Sequence, residues 1–336
     1  MTMKTKLLWP IAAIIGLFVL YSAYWIIASG QIRKGVNEWI ADKENAGYTI
    51  EHAGLHIGGY PYRFQIRLVE PHFRAPQSDG GWDARLQELS ANAMPHDLSH
   101  WIVAFGGPLL LEDYASEDSV IEVTGSDARI SLVYSVTGET ERVGAEFRDL
   151  VVTTRAGTPP DIRSIDELLM SGVVDEDDGL RMRLAVSGVR AAPGVLEPDV
   201  ERAFGDTART ARVNLEVTHW SALADGANAI AWRDAGGALQ IADAELEWGP
   251  AHITGNGDFT IDSLARPDGR LSLRITDPDT LADALIEAGV VPRENEQALR
   301  LAAMMAPRSA EGVALPFRIH DGGIYLGPVR LGAIDG

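Results

Sequence analysis

Tyr62-Arg63-Phe64-Gln65-Ile66-Arg67-Leu68 alternates strictly between large apolar and polar side chains. Successive side chains of a strand point to opposite faces. Tyr62, Phe64, Ile66 and Leu68 therefore fall on one side, and Arg63, Gln65 and Arg67 on the other. The pattern extends toward Phe73 and predicts a half-buried strand. Upstream, Gly58-Gly59-Tyr60-Pro61 is a turn cluster. Before it, residues 48–52 and 55–57 alternate in the same way, which makes a hairpin-like opening.

The period of two persists downstream. Strands are expected over 85–91, 101–105, 109–112, 120–123, 128–136, 145–154, 181–189, 212–220, 238–248, 251–262 and 271–275. Asp, Gly and Pro punctuate them, as turns require. Residues 313–320 and 324–331 close the chain as a hairpin joined by Asp321-Gly322-Gly323, since Asp-Gly between alternating runs is a strong hairpin signal. Four segments read as short helices. Residues 162–170 have apolar residues at helical spacing, with Ser164 and Glu167 in capping-box positions. Residues 198–209 are a second. A third follows the Asp277-Pro278 cap, with Leu281, Leu285 and Ile286 inward and Gly289 as its stop. Residues 294–305 are the fourth. The expected class is α+β, mainly antiparallel β, as an extended curved sheet or a β-sandwich.

In the other direction lies Leu7–Ala28, LLWPIAAIIGLFVLYSAYWIIA, 22 residues without a charge. As a helix it is about 33 Å long, enough for a hydrocarbon core of about 30 Å. Trp9, Tyr21, Tyr24 and Trp25 lie near its ends, where amphipathic rings favour the membrane interface. A signal peptide has a shorter apolar core and a small-x-small cleavage site; Ile26-Ile27-Ala28 is a poor match, so an uncleaved anchor is favoured. Lys4 and Lys6 precede it and Arg33 and Lys34 follow, so charge hardly discriminates orientation. The short lead favours a cytoplasmic N-terminus. Residues 31–46 continue as an amphipathic helix, with Ile32, Val36, Trp39 and Ile40 on one face and Gly47 as its stop. The order is a cytoplasmic lead (1–6), an anchor (7–28), a juxtamembrane amphipathic helix (29–46) and a β-rich domain (47–336). A division of that domain into two subdomains near 155–180 is one option.

The chain carries a net charge of −19, and residues 1–34 hold basic groups only, so the body is more acidic still. Nucleic acid binding needs clustered Lys and Arg to neutralise phosphates, and no nucleic acid partner is expected. There is no cysteine, which excludes disulfides, thiolate metal sites and cysteine nucleophiles.

The remaining chemical signals are weak. His96 and His100 have the i,i+4 spacing of a zinc helix, but Asp97 stands where the glutamate of His-Glu-x-x-His would be. Asp175-Glu176-Asp177-Asp178-Gly179 places its glycine too early for a calcium loop and reads as an acidic turn. The Gly-Gly pairs match no phosphate loop or dinucleotide fingerprint, and no Gly-x-Ser-x-Gly elbow occurs. No catalytic, cofactor-binding or metal-ligating residue is nominated, and no cofactor is expected.

The order of anchor, then Gly58-Gly59-Tyr60-Pro61-Tyr62-Arg63-Phe64, then Trp82, an acidic β-rich body, Asp321-Gly322-Gly323 and Leu326-Gly327-Pro328-Val329-Arg330-Leu331-Gly332 resembles the bacterial family called domain of unknown function 2125. The likeness covers nearly all of the chain after the anchor. It implies a bacterial envelope protein without a settled activity, and no functional residue is carried over. More loosely, the anchored β-rich plan is similar to AsmA-type envelope proteins associated with lipid transport or membrane homeostasis. The expectation is a single-pass protein of the bacterial inner membrane with its C-terminal domain in the periplasm. That domain is expected to bind lipid or another apolar envelope component in a groove of its sheet. The alternatives are a non-enzymatic scaffold of envelope proteins and an enzyme whose site is assembled from distant residues.

Overall fold

The computed structural model describes residues 3–112, 119–135, 137–224, 229–291, 297, 308–309, 312–326 and 329–333. It begins with one helix, α1 (Met3–Asn45), which carries the apolar segment and the amphipathic segment without a break. Tyr21, Ser22, Trp25, Ala28, Ser29, Ile32, Val36 and Ile40 form its half-buried stripe. Three- and four-residue steps keep such positions on one face. Gly47, at φ 92°, turns the chain after the helix; glycine takes this left-handed conformation at no steric cost.

Ten short strands form two arms. The first arm is β1 (Thr49–Glu51), β4 (His72–Arg74), β5 (Asp83–Arg85), β8 (Leu109–Glu112) and β9 (Val120–Thr124). The second is β2 (Gly54–Gly58), β3 (Phe64–Val69), β6 (Glu88–Met94), β7 (Asp97–Gly106) and β10 (Asp127–Tyr134). Both arms join the long strand β11 (Thr140–Ala156): β10 pairs with its first half and β9 with its second. Consecutive strands such as β3 and β4 belong to different arms, so the chain bends between them. At the bend Glu70 sits at φ 48° and Gly107 at φ 78°. Ile50, Leu68, Pro71, Ala84, Leu86 and Ile121 are buried near the bend, and Phe64 at the other end of β3.

From β11 the sheet continues through β12 (Ile162–Val174), β13 (Leu180–Ala191), β14 (Thr207–Val217), β15 (Leu239–Trp248), β16 (Ala251–Ile261), β17 (Pro267–Ile275), a two-residue β18 (Arg308–Ser309) and β19 (Gly312–His320). β19 then pairs with β20 (Gly323–Leu326), and β20 with β21 (Val329–Ala333). Among the described residues all 21 strands belong to one sheet, and every pairing is antiparallel. The expected class holds, in its extended form. The β19–β20 hairpin turns on Asp321 (φ 48°) and Gly322 (φ 67°), the two positive φ angles of a type I′ turn, but the single strand expected over 324–331 is divided into β20 and β21, which pair with each other.

Two helix expectations are corrected. Residues 162–170 lie in β12, where Phe147 pairs with Leu168 on one side and Leu168 with Val186 on the other. Hydrogen bonding along both edges overrides the helical spacing of the apolar residues. Ser164 and Glu167 do not cap; they pair with Arg190 and Ser187. The helix expected over 198–209 stops at Phe204 as α2 (Pro198–Phe204), and β14 starts at Thr207. The helix after Asp277 is α5 (Pro278–Glu287), with the Asp277 carboxylate accepting from the Thr280 N–H. Residues 294–305 fall almost entirely outside the described residues.

α2 and α5 pack together over one end of the strands, where Phe204, Ala251, Leu281 and Ala284 form a buried cluster with Trp248, Ile253 and Ile275 at its edge. Two short helices, α3 (Ser221–Ala224) and α4 (Ala229–Asp234), lie at the opposite strand end, where the buried Trp232 donates its indole N–H to the Thr218 carbonyl.

Candidate functional site: an apolar sheet face joined to the long apolar helix

Residues directly opposite each other on paired strands share a face of the sheet. Ile57 opposes Ile66, Ile66 opposes Ala91, and the line runs on through Val103, Ile130 and Ala145. From Ala145 it continues through Met170, Leu184, Val213, Ala244, Gly255 and Leu273 to Leu315. No polar residue interrupts it. At about 4.8 Å between strands the line is about 58 Å long. A second line beside it runs from Phe64 through Trp101, Leu132, Met182 and Leu215 to Phe317 and Leu326, again with no polar residue.

This face is only partly sealed. Between Met170 and Leu315 none of the residues of the first line is buried, and Met170 is 39% exposed. Among the described residues the α2–α5 cluster closes only the margin formed by Trp248, Ile253 and Ile275. The chain exposes 20653 Å², where a compact monomer of 36.3 kDa exposes about 13,400 Å². The protruding α1 and the open face both contribute.

The opposite face is polar. It bears a groove of about 640 Å³ lined by Arg183, Arg212, Asn214, Asp243, Asn256 and Arg274, among others. Its groups largely satisfy one another: Arg183 Nε donates to Asn214 Oδ1 at 2.7 Å, Asn214 Nδ2 to Asp243 Oδ1 at 2.6 Å, and Arg212 lies 2.8 Å from Glu245. Such ladders mark a solvated face.

α1 docks where the first arms of the apolar lines begin. The Trp25 indole stacks on Phe64, which is fully buried. Further along, Ile32, Val36 and Trp39 with Ile66 and Trp101 border a cleft of about 270 Å³ between helix and sheet. The Gly58–Phe64 turn touches the helix nearest its apolar end. Tyr21 donates its hydroxyl to the Pro61 carbonyl, Trp25 Nε1 to the Arg63 carbonyl at 3.3 Å, and Ser22 bonds the Tyr60 hydroxyl at 2.7 Å. The β6–β7 hairpin tip joins them through the Tyr24 hydroxyl and the Pro95 carbonyl at 2.8 Å. At the far end of the helix Lys43 lies over the Tyr48 ring, and Tyr48 meets Trp82 edge to face. The Tyr48 hydroxyl donates to Asp79 at 2.5 Å, a bond that holds its pKa above the usual phenol value. Of the two motif elements near the start of the body, Gly58–Phe64 therefore clasps α1 directly, and Trp82 supports Tyr48, which meets Lys43 at the end of α1.

A family model described as an uncharacterized protein conserved in bacteria (DUF2125) matches residues 25–335. The chain belongs to this family. The match begins at Trp25, the residue that stacks on Phe64, and takes in the turn, Trp82 and the closing hairpin. Comparison with curated proteins and with solved structures gives no match.

The family's β-rich body carries the weaker sequence signals elsewhere. His96 is in the two-residue turn between β6 and β7, and His100 is on β7 bonding Ser131 Oγ at 2.9 Å. They do not share a helix face. Among the described residues no group of three or more His, Asp or Glu is placed to hold a metal ion. The acidic turn is a strut: Asp175 Oδ1 accepts from the N–H groups of Asp177 and Gly179, and Asp178 accepts from the Ser221 N–H and hydroxyl at the start of α3. The hydrogen bonds from Ser221 hold the Asp178 carboxyl below its ordinary range.

One buried charge cluster escaped the sequence reading. Asp83, 4% exposed, accepts from His72 Nε2 at 2.7 Å and Arg74 Nε at 3.0 Å, with Arg85 at 3.6 Å. Burial pushes the Asp83 carboxyl upward, but the bonds from His72 and Arg74 outweigh it and hold it below the usual value. His72 Nδ1 faces Glu51 at 3.3 Å. These residues meet across β1, β4 and β5, strands too short and too far apart in sequence to announce the cluster. It fastens the first arm together; it borders no cavity described here.

Proposed function

We propose that the protein is a single-pass inner-membrane protein whose periplasmic body holds lipid acyl chains along the apolar face of its sheet. The observation that carries the reading is the uninterrupted line of apolar cross-strand neighbours, which starts at Ile57 and Ile66 beside α1 and extends about 58 Å across the body. α1 is the helix, among the described residues, long and apolar enough to cross a membrane. An acyl chain leaving a bilayer along such a helix would meet apolar side chains at every strand. The polar face offers no comparable path. The likeness to AsmA-type envelope proteins enters as an analogy of plan: an anchor followed by an extended sheet.

The test places a photo-activatable phenylalanine analogue at Val213, on the apolar face, and at Asn214, on the polar face, in the full chain in cells. Lipid attached at 213 and not at 214 is the expected result. Equal labelling at both positions, or no lipid at 213, refutes the reading. A protein captured at 213 in place of lipid would assign the face to a scaffold of envelope proteins.

A further inference from the structure

The contacts between α1 and the body set how far the helix can be sunk into a bilayer. Ala28 lies seven positions after Tyr21, about 10 Å along the helix. If the hydrocarbon core reached Ala28, the turn at Pro61 and the hairpin tip at Pro95 would lie well within it, and Arg63, His96 and Asp97 would approach hydrocarbon at a large desolvation cost. If the core ends near Trp25, residues 7–25 span about 28 Å, close to its thickness, and Tyr60 and Pro61 fall about 6 Å below Trp25, the depth of the headgroup boundary.

The turn is built for that depth. Backbone carbonyls in a low-dielectric layer need partners within the protein. The carbonyls of Pro61, Arg63 and Pro95 each accept a hydrogen bond from an aromatic side chain of α1: Tyr21, Trp25 and Tyr24. The Tyr62 and Arg63 N–H groups both turn back to the Gly59 carbonyl. Large apolar or amphipathic side chains are exposed here beside the polar Arg63, His96 and Ser99. Tyr62 is 82% exposed and Met94 55%, and Tyr60 and Leu98 are also exposed. Tyrosine favours the interface because its ring is apolar and its hydroxyl wet.

We propose that the Tyr60–Tyr62 turn and the β6–β7 hairpin tip are inserted into the interface of the bilayer that α1 crosses, so that the body stands on the membrane and does not hang free of it. The proposal rests on the reading of α1 as an anchor and is independent of whether the sheet carries lipid. The second apolar line, which starts at Phe64 beside Trp25, then begins at the lipid surface.

The absence of cysteine from the sequence allows single labels. Spin labels are attached to Tyr62→Cys and Leu98→Cys in the full chain, reconstituted in vesicles of phosphatidylethanolamine and phosphatidylglycerol. Ile15→Cys in α1 and Glu216→Cys on the polar face serve as references. Relaxation by oxygen is compared with relaxation by a water-soluble nickel complex. Positions 62 and 98 are expected to favour oxygen several-fold over position 216. Nickel access at 62 and 98 equal to that at 216, with 15 protected, overturns the proposal and leaves the anchor intact. Nickel access at 15 overturns the anchor and the proposal with it. Tyr62 is so exposed that its substitution leaves the fold unperturbed, so a negative result cannot be assigned to misfolding.

Discussion

Trp25 lies on Phe64 with ring centroids 5.3 Å apart and planes inclined by 13°. One ring belongs to the long apolar helix, the other to β3, and 38 intervening residues separate Trp25 and Phe64. The stack makes helix and sheet one body at the point where the chain would leave a membrane. Truncating Phe64 to alanine removes a fully buried ring and is expected to cost about 3–5 kcal/mol. Trp25→Ala should cost less, because its ring is only partly covered. A double-mutant cycle read by chemical denaturation should show coupling of about 1 kcal/mol. Full additivity would mean that the stack contributes nothing.

The apolar face can be interrupted at a single strand. Leu184→Glu puts a carboxylate in the middle of the line between Met170 and Val213. The wild type is expected to copurify with lipid, and the variant to keep its circular dichroism, since the position is not sealed, and to lose most of that lipid. Arg183→Glu, one residue away on the polar face, should leave lipid content unchanged. Equal losses in both variants would count against the face as the binding surface.

Asp83→Asn removes the charge that holds His72, Arg74 and Arg85 together. Arg74 and Arg85 are about half exposed, so losing the charge-assisted bonds is expected to cost about 1.5–3 kcal/mol, and the variant should unfold at lower denaturant. Because the folded carboxyl is held below its ordinary value, its contribution is fully present above that value and fades as pH falls through the lowered one. The difference in stability between wild type and D83N should therefore be constant near neutrality and shrink in acid.

The β16–β17 turn has its own acid limit. Asp262 accepts from the Leu264 and Arg266 N–H groups and from the Arg266 guanidinium. The bonds from Arg266 bring its carboxyl to about 2 from an ordinary 3.8. Its stabilising effect is complete above the ordinary value and is lost as pH drops toward 2. A carbon-13 titration of the Asp262 carboxyl should show a midpoint near 2, and Arg266→Ala should raise it toward 3.8. A midpoint unchanged by that substitution would show that the arginine is not the cause.

Much of the architecture is readable in local sequence. The alternation of Phe64, Ile66 and Leu68 marks β3, and Asp321-Gly322 marks the β19–β20 turn, because side-chain period and turn conformation are properties of adjacent residues. Ile162–Val174 misleads for the same reason. Its Leu and Met residues suit a helix, and only the strands at its two edges, β11 before it and β13 beyond an acidic turn, make it β12. The site shows the same division. The Gly58–Phe64 turn is visible as a turn, while its docking onto Tyr21, Tyr24 and Trp25 is not. The spacing of those three aromatics, on neighbouring turns of one helix face, was the available signal.

By itself the sequence decided the apolar helix, the antiparallel β class and the acidic, cysteine-free body, since these follow from composition and from periods of a few residues. Only the tertiary structure decided that α1 is clasped by the motif turn and that apolar residues of thirteen strands form one continuous line. The physical reason is register. A shift of one residue in any pairing would turn that strand's apolar side chains to the opposite face, and register is set between strands, beyond the reach of any one segment's pattern.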